Sequence, residues 1–298
     1  DVWAYRSVDH IPVFIRISGR LGHTRRDIIE DDELQYQVNL DNLVRSLRTL
    51  PDDYIPYARV WFGYMTIATM FGASLHWAND PEQSPAVAQP LITDMDQVYD
   101  LEKPDPRHDG LMADNLRVQR MFAERFPEWV HLTGFDLGGP LNGARDLVED
   151  RLFYLVMIKR PDEVHHLLRL LTELQIDCNA AAIEASGGLE RMTCIDMAQI
   201  WAPEGHKGFV SDDVCATISP EMFEKFSKPY NNQIFSRWPG GLMHNCGPNP
   251  AAHHYLDHSP PINGINCSYK YSREDFPVLR EAFAGRGVVQ VMFDNGET

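Results

Sequence analysis

From residue 111 to residue 293 the chain alternates short apolar runs with longer amphipathic ones. That alternation restricts the fold more than any other feature of the sequence. Leu111 to Phe126 has helical spacing, with Leu111, Leu116, Val118, Met121 and Phe122 as its apolar set. His131 to Gly138 reads as a strand, and a helix is predicted around Leu147 to Ile158. Pro161-Asp162-Glu163 opens a long helix that Gly187-Gly188 ends, since Pro suits the first turn and acidic residues complement the helix N-terminus. Strands are predicted at 191–195, at 242–246 after Gly240-Gly241, at 262–267 and at 288–293. Between them fall a helix capped by Ser219 with Pro220 behind it and a helical stretch from Arg273 to Phe283. Strands that alternate with helices imply a parallel sheet with crossover helices. This many units in line favour an α/β fold of the (β/α)8 TIM-barrel type over an open doubly wound sheet.

The first 110 residues are less regular. Asp9 to Ile17 reads as a lead-in loop and a strand, residues 31–50 as a helix and Tyr57 to Phe62 as a second strand. Residues 78–110 are rich in proline and without periodicity, which predicts a long loop that covers a binding site. With 298 residues the chain fits one barrel domain, 1–298, with segment 1–55 and loop 78–110 over its site. The chain begins without Met and ends on the turn-like Asn295-Gly296-Glu297-Thr298. Further residues are therefore expected at both ends, and the barrel is expected to lack its last one or two units here.

Composition removes several function classes. Lys and Arg number 27 against 43 Asp and Glu, a net charge of −16, which repels a phosphate-coated nucleic acid. Charge or proline interrupts every apolar stretch, so no membrane span is expected. Five cysteines, none in a CxxC pair, make no disulfide framework and point to a reducing cytoplasm. GxGxxG and GxxxxGK[ST] are both absent, which counts against nicotinamide and nucleotide chemistry.

His244-Asn245-Cys246-Gly247 is the sharpest chemical motif. Residues i and i+2 of a strand point to one side, so imidazole and thiol can converge on one atom at the strand's end. Both are good zinc ligands, and a catalytic zinc keeps one position open beside three protein ligands. The same spacing also fits a packed cysteine beside a hydrogen-bonded histidine.

Other polar residues fall near expected strand ends: Asp136, Asn142, Asp196, Asp212 and Asp213. Asp136, just before a glycine turn, suits a substrate contact or equally an Asx turn. Asp213 is a candidate for orienting a reacting group or a ligating histidine. Asp212 reads as a solvated loop carboxylate, and His253 and His254 as surface residues of the next helix. Trp61, Trp77 and Trp201 could line a pocket or pack in the core.

Four segments carry a family resemblance: DHIPV at 9–13, GPLNGARDLVEDRLFYLVMIKRPDEV at 139–164, SDDVCATISPEMFEKFSKPY at 211–230 and HNCG at 244–247. In this order they resemble the uroporphyrinogen decarboxylase superfamily. They look like its cobalamin-dependent methyltransferase branch, because His244 and Cys246 match that branch's zinc-ligand positions. The resemblance implies a (β/α)8 barrel and a bound Zn2+. It also implies transfer of a methyl group between a corrinoid (cobalamin) on a partner protein and a small acceptor, such as a thiol or folate, or a methoxylated donor. A homodimer is left open. The family's third zinc ligand is a Cys beyond Thr298; Cys267, Cys215, Asp213 and Glu204 are the candidates within the chain. Asp213 and Asp136 are then the catalytic candidates. The alternative is the superfamily's metal-independent porphyrinogen decarboxylase branch, whose N-terminal arginines hold substrate carboxylates. Arg16, Arg20, Arg25 and Arg26 lie in the comparable region. A third possibility is a barrel that binds a tetrapyrrole and has lost the reaction.

Overall fold

The computed structural model describes residues 1–49, 52–196, 201–257 and 262–293. The turn expected at 295–298 lies outside them. In chain order the helices are α1 (Arg25–Glu30), α2 (Asp32–Thr49), α3 (Thr66–Met70), α4 (Gly110–Arg125), α5 (Pro140–Leu147), α6 (Asp150–Lys159), α7 (Pro161–Ser186), α8 (Pro220–Phe226), α9 (Lys228–Arg237), α10 (Tyr269–Ser272) and α11 (Phe276–Phe283). The strands are β1 (Tyr57–Ala58), β2 (Leu75–His76), β3 (Ala86–Val87), β4 (His131–Leu132), β5 (Phe209–Ser211), β6 (Leu242–Asn245), β7 (Gly264–Ser268) and β8 (Val288–Met292). β2 and β3 form a small antiparallel pair. The remaining strands make a parallel wall with helices between its members, the α/β arrangement of a (β/α)8 barrel.

The wall can be followed bond by bond. β1 pairs with β4, Tyr57 opposite His131 and Ala58 opposite Leu132. Leu132 bridges to Met192 and Phe135 to Asp196. Ile195 N–H then donates to the Lys207 carbonyl at 3.0 Å, and β5, β6, β7 and β8 follow in parallel order. Every residue of β5, β6 and β7 is buried, as expected of parallel strands covered on both faces. Among the described residues no ladder joins β8 back to β1.

Several predicted strands are shorter than their sequences suggest, and side-chain competition for backbone groups is the reason. After Ala58, the Arg59 and Trp61 N–H groups donate to Asn39 Oδ1 at 2.8 Å and to Gln35 Oε1 at 3.1 Å, both on α2. The strand predicted in 9–17 does not form: Val13 N–H and Ile15 N–H donate to the Asp53 and Asp52 carboxylates instead. The 191–195 strand is reduced to bridges, and its approach is fixed by Lys207. That buried ammonium donates to the carbonyls of Leu189, Glu190 and Met192 at 2.7–3.0 Å. The helix expected around 147–158 is α6, and a further helix that was not expected, α5, precedes it. Val148 between them is extended and bridges Ile92.

Helix ends follow the sequence more closely. α7 starts at Pro161 with Asp162 and Glu163 in its first turn and stops at Gly187, whose φ of 86° is left-handed. Ser219 caps α8 by accepting from Met222 N–H. Segment 78–110 is largely irregular, with β3 and one 3-10 turn at Met95–Asp100. Its second half runs along α7, with Lys103 paired to Asp177 and Arg107 to Glu184. No helix among the described residues is long and apolar enough to cross a membrane.

Gly134, two residues beyond β4, lies hard against the neighbouring segment. A Cβ there would lie 2.5 Å from the backbone of Ile195 and Asp196. Gly134→Ala therefore forces two wall positions apart. It is expected to lower unfolding stability by about 1–3 kcal/mol, the usual cost of overpacking, read from the midpoint of a urea titration.

Candidate metal centre at the strand ends

Three side chains meet beyond the C-terminal ends of β5 and β6. His244 is the third residue of β6, and Cys246 follows the strand. Asp213 opens the 3-10 turn Asp213–Thr217 that follows β5. One donor atom from each of Asp213, His244 and Cys246 lies within 4.8 Å of the other two. Asp213 Oδ1 is the centre of the group. It accepts from both Cys246 N–H and Cys246 S–H at 3.0 Å, and His244 Nε2 lies 3.5 Å away. Its other oxygen, Oδ2, accepts from Ser211 Oγ–H and from Asn142 Nδ2–H, each at 3.2 Å. Asn142 Oδ1 in turn accepts from Val214 N–H. The carboxylate is thus held by β5, by the turn after it, by α5 and by the end of β6.

The register of the wall builds the far side of the site. Ser211 pairs with His244, His244 with Asn266 and Asn266 with Gln290. Four polar residues on four adjacent strands therefore form one row. His244 Nδ1–H donates to Asn266 Oδ1, and Asn266 Nδ2–H donates to Gln290 Oε1. This chain of amides sets the imidazole tautomer with its lone pair on Nε2, the nitrogen that faces Asp213. His244 is only 3% exposed, and Phe209 stacks over its ring. An imidazole nitrogen and a carboxylate oxygen facing each other attract only when a cation or a proton lies between them. Together with the adjacent sulfur they form an N, O and S donor set of the kind that suits a zinc-like cation. The residues present fit the metal that the sequence motif implies.

Electrostatics of the group agree. Burial pushes Asp213 up, but electrostatic attraction to the His244 ring and the donors of Cys246 and Ser211 outweigh it and hold the carboxyl below its usual value. Partial burial and the Asp213 carboxylate push the Cys246 thiol up to about 12. A divalent cation reverses that balance, since a coordinated thiol loses its proton. Cys246 is exposed, so the site opens to solvent on its side.

Asp136 lies next to this group. Burial raises its carboxyl above the ordinary range, while Arg59, 3.4 Å away, and His244 oppose the shift. Asp212 differs from the expectation of a solvated carboxylate: it is 0% exposed. Its Oδ2 accepts from Ser227 Oγ–H and, at 2.9 Å, from Asn231 Nδ2–H, which ties α9 to the turn that carries Asp213. Cys215 is buried with its sulfur 3.6 Å from the Tyr255 hydroxyl. Cys267 is buried on β7, its thiol pushed up to about 12 by burial. Neither belongs to the Asp213, His244 and Cys246 group. Glu204 is exposed on the turn that precedes β5, at the opposite end of the wall. Asp196 is buried at its bridge to Phe135. His254 bonds Glu224. Trp201 lies near His131, the first residue of β4, whereas Trp61 and Trp77 stack with Arg25 and Arg26. Asn266, Gln290, Ser211 and Arg59 escaped the sequence reading. The visible signal for Asn266 was a polar residue inside the apolar run Ile265-Asn266-Cys267.

A family model described as uroporphyrinogen decarboxylase (URO-D) matches residues 2–275. The chain belongs to the uroporphyrinogen decarboxylase family. Members of the URO-D family fold as TIM barrels, in agreement with the parallel wall. A solved structure, a methyltransferase from Methanosarcina mazei, superposes with a TM-score of 0.72 at 20% sequence identity. The match covers 96% of this URO-D chain and 79% of that one. No curated protein matches the chain.

Asp146, one turn after Asn142 on α5, carries a pH signature of its own. Burial pushes its carboxyl up to about 6; Arg145 opposes the shift, and Asp150, Asp213 and Asp136 add to it. The folded chain therefore holds this proton more tightly than the unfolded chain, whose carboxyl titrates near 3.8. Stability is lost as pH rises from about 4 to about 6 and is level above that. Comparing chemical denaturation of the wild type with Asp146→Asn across this window is expected to show a steeper fall in the wild type, since Asp136 and Asp212, also raised by burial, remain in the variant.

Proposed function

We propose that this URO-D family chain is a zinc-dependent methyltransferase that moves a methyl group between a corrinoid carried by a partner protein and a small acceptor or methoxylated donor. The convergence of Asp213, His244 and Cys246 at the open end of a parallel wall carries this reading. The family membership and the methyltransferase neighbour support an enzyme of this class. Asp213, His244 and Cys246 would hold the ion. When bound, the ion acts as a Lewis acid toward the atom that gains or loses the methyl group.

The chain's own residues do the remaining work. The row Asn266–Gln290 keeps His244 in one tautomer and one orientation. Ser211 and Asn142 keep Asp213 from turning away. Asp136, buried and shifted upward, can hold a proton beside the reacting group. The exposed side at Cys246 leaves room for a large planar partner group to approach. The difficult bond chemistry belongs to the cobalt, and the protein supplies position and charge.

Metal analysis tests the proposal. Purified wild type is expected to retain zinc, and His244→Ala and Cys246→Ala to lose it. Asn266→Ala, which leaves every donor atom in place, is expected to weaken zinc binding about 10- to 100-fold, the usual cost of removing a partner that orients a ligand. Equal zinc content in all four proteins removes the proposal. Chelator-insensitive decarboxylation of a porphyrinogen by the purified chain would establish the metal-independent alternative.

A further inference from the structure

His244 is fixed by strand pairing on both sides of β6, but Cys246 is not. The last ladder pair of β6 joins Asn245 to Cys267, so Cys246 stands one residue past the sheet. Side chains take over there. Asn245 folds back over the turn: its Oδ1 accepts from Gly247 N–H at 2.8 Å, and its Nδ2–H donates to the Pro248 carbonyl at 2.8 Å and to Asn249 Oδ1 at 3.2 Å. Asn249 closes the loop from the far side. Its Nδ2–H donates to the Gly247 carbonyl at 3.3 Å and to Ser272 Oγ at 3.1 Å, and its Oδ1 also accepts from the Tyr255 hydroxyl at 3.1 Å. Ser272, on α10, donates its own hydroxyl to the Gly247 carbonyl at 2.9 Å, and Asp275 accepts from Asn249 N–H at 2.8 Å. Asn245, Asn249, Ser272 and Tyr255 are all buried. On its other side the loop presses against the turn that carries Asp213: a Cβ at Gly247 would lie 2.5 Å from Ala216 Cβ.

We infer that Asn245, Asn249 and Ser272 form a clasp that fixes the Cys246 sulfur against Asp213, which makes them positioning residues for the third donor of the metal centre. The inference rests on the reading of Asp213, His244 and Cys246 as that centre, and it deepens the reading by naming what holds its exposed member. Cys246 N–H and Cys246 S–H both reach Asp213 Oδ1, so backbone and side chain must keep one orientation together. The N–H and the carbonyl of Gly247 are both held by buried side chains. The peptide units around Cys246 therefore cannot rotate without leaving buried polar groups unpaired, which is costly. A buried polar network bonded this fully is rigid. Without it the exposed Cys246 is free to swing toward solvent, and His244 and Asp213 are left as a two-donor site. A donor held in place before the cation arrives loses little freedom on binding. Amides that only stabilised the barrel would affect unfolding and leave sulfur coordination alone.

Cobalt(II), titrated into the full chain, tests the clasp, because its thiolate charge-transfer absorption reports the sulfur alone. Asn249→Ala and Ser272→Val are expected to lose most of that absorption, to keep the weaker visible bands of cobalt on His244 and Asp213, and to bind cobalt about tenfold or more weakly. Ser272→Thr restores the hydroxyl in a side chain of nearly the same shape as Val, so the two share any packing cost, and Thr is expected to recover the absorption. Amide hydrogen exchange, read by NMR without metal, follows the clasp itself. In the wild type the Cys246 and Gly247 amides are expected to be protected, and in Asn249→Ala and Ser272→Val to exchange about tenfold or more faster while the β6 amides stay as they were. Thermal unfolding shows which variants are folded; Asn249 and Ser272 come from different elements, and the wild-type exchange rates stand without either. The clasp is overturned if the wild-type Cys246 and Gly247 amides exchange as a free loop, if both variants keep wild-type exchange, or if both keep the charge-transfer absorption and the affinity. A wild type that takes neither cobalt nor zinc but shows clasp-dependent exchange would keep Cys246 fixed against Asp213 and remove the methyl-transfer reading. Sulfur-ligated metal held equally by the wild type and both variants would do the reverse.

Discussion

A single carboxylate oxygen organises this molecule's chemistry. Asp213 Oδ1 accepts two bonds from Cys246 and faces His244 Nε2, while Oδ2 is fixed by Ser211 and Asn142. Without that oxygen, the imidazole and the thiol would share a strand end and nothing would draw them to a common point. With it, three donor atoms of different chemistry gather where one cation can satisfy them all. The burial of Asp212 directly before it anchors the turn to α9 and sets the height at which Asp213 stands.

The parallel wall is what makes this arrangement reproducible. In-register pairing puts Ser211, His244, Asn266 and Gln290 side by side across four strands. A one-residue slip of any strand would turn its member of the row to the other face of the wall. Register, histidine tautomer and the aim of Nε2 are therefore one property of the fold.

Much of this was legible in the chain, and the failures share a physical cause. Helix starts at Pro161 and Ser219 and the stop at Gly187 follow local rules of capping and backbone freedom, which a sequence states openly. The i, i+2 spacing of His244 and Cys246 placed two donors at a strand end correctly. The strands around 57–62 and 131–138 and the one expected within 9–17 were overread: Gln35 and Asn39 take backbone N–H groups of the first, Asp196 takes that of Leu137 in the second, and Asp52 and Asp53 take those of the third, all from far away in sequence. Asp212 looked solvated for a similar reason: the Ser227 and Asn231 groups that bury it come from another helix. Asn266 and Gln290 gain their meaning only from register, which pairs residues 22 and 24 positions apart. Local signals fix local structure, and long-range polar partners decide where strands stop and which polar residues matter.

X-ray absorption at the zinc edge of the metal-loaded protein addresses the centre most directly. The spectrum is expected to require at least one sulfur at about 2.3 Å together with nitrogen or oxygen donors, and to lose a sulfur in Cys246→Ser. A spectrum fitted by oxygen and nitrogen alone in the wild type, or one unchanged in Cys246→Ser, would contradict a metal held by Asp213, His244 and Cys246.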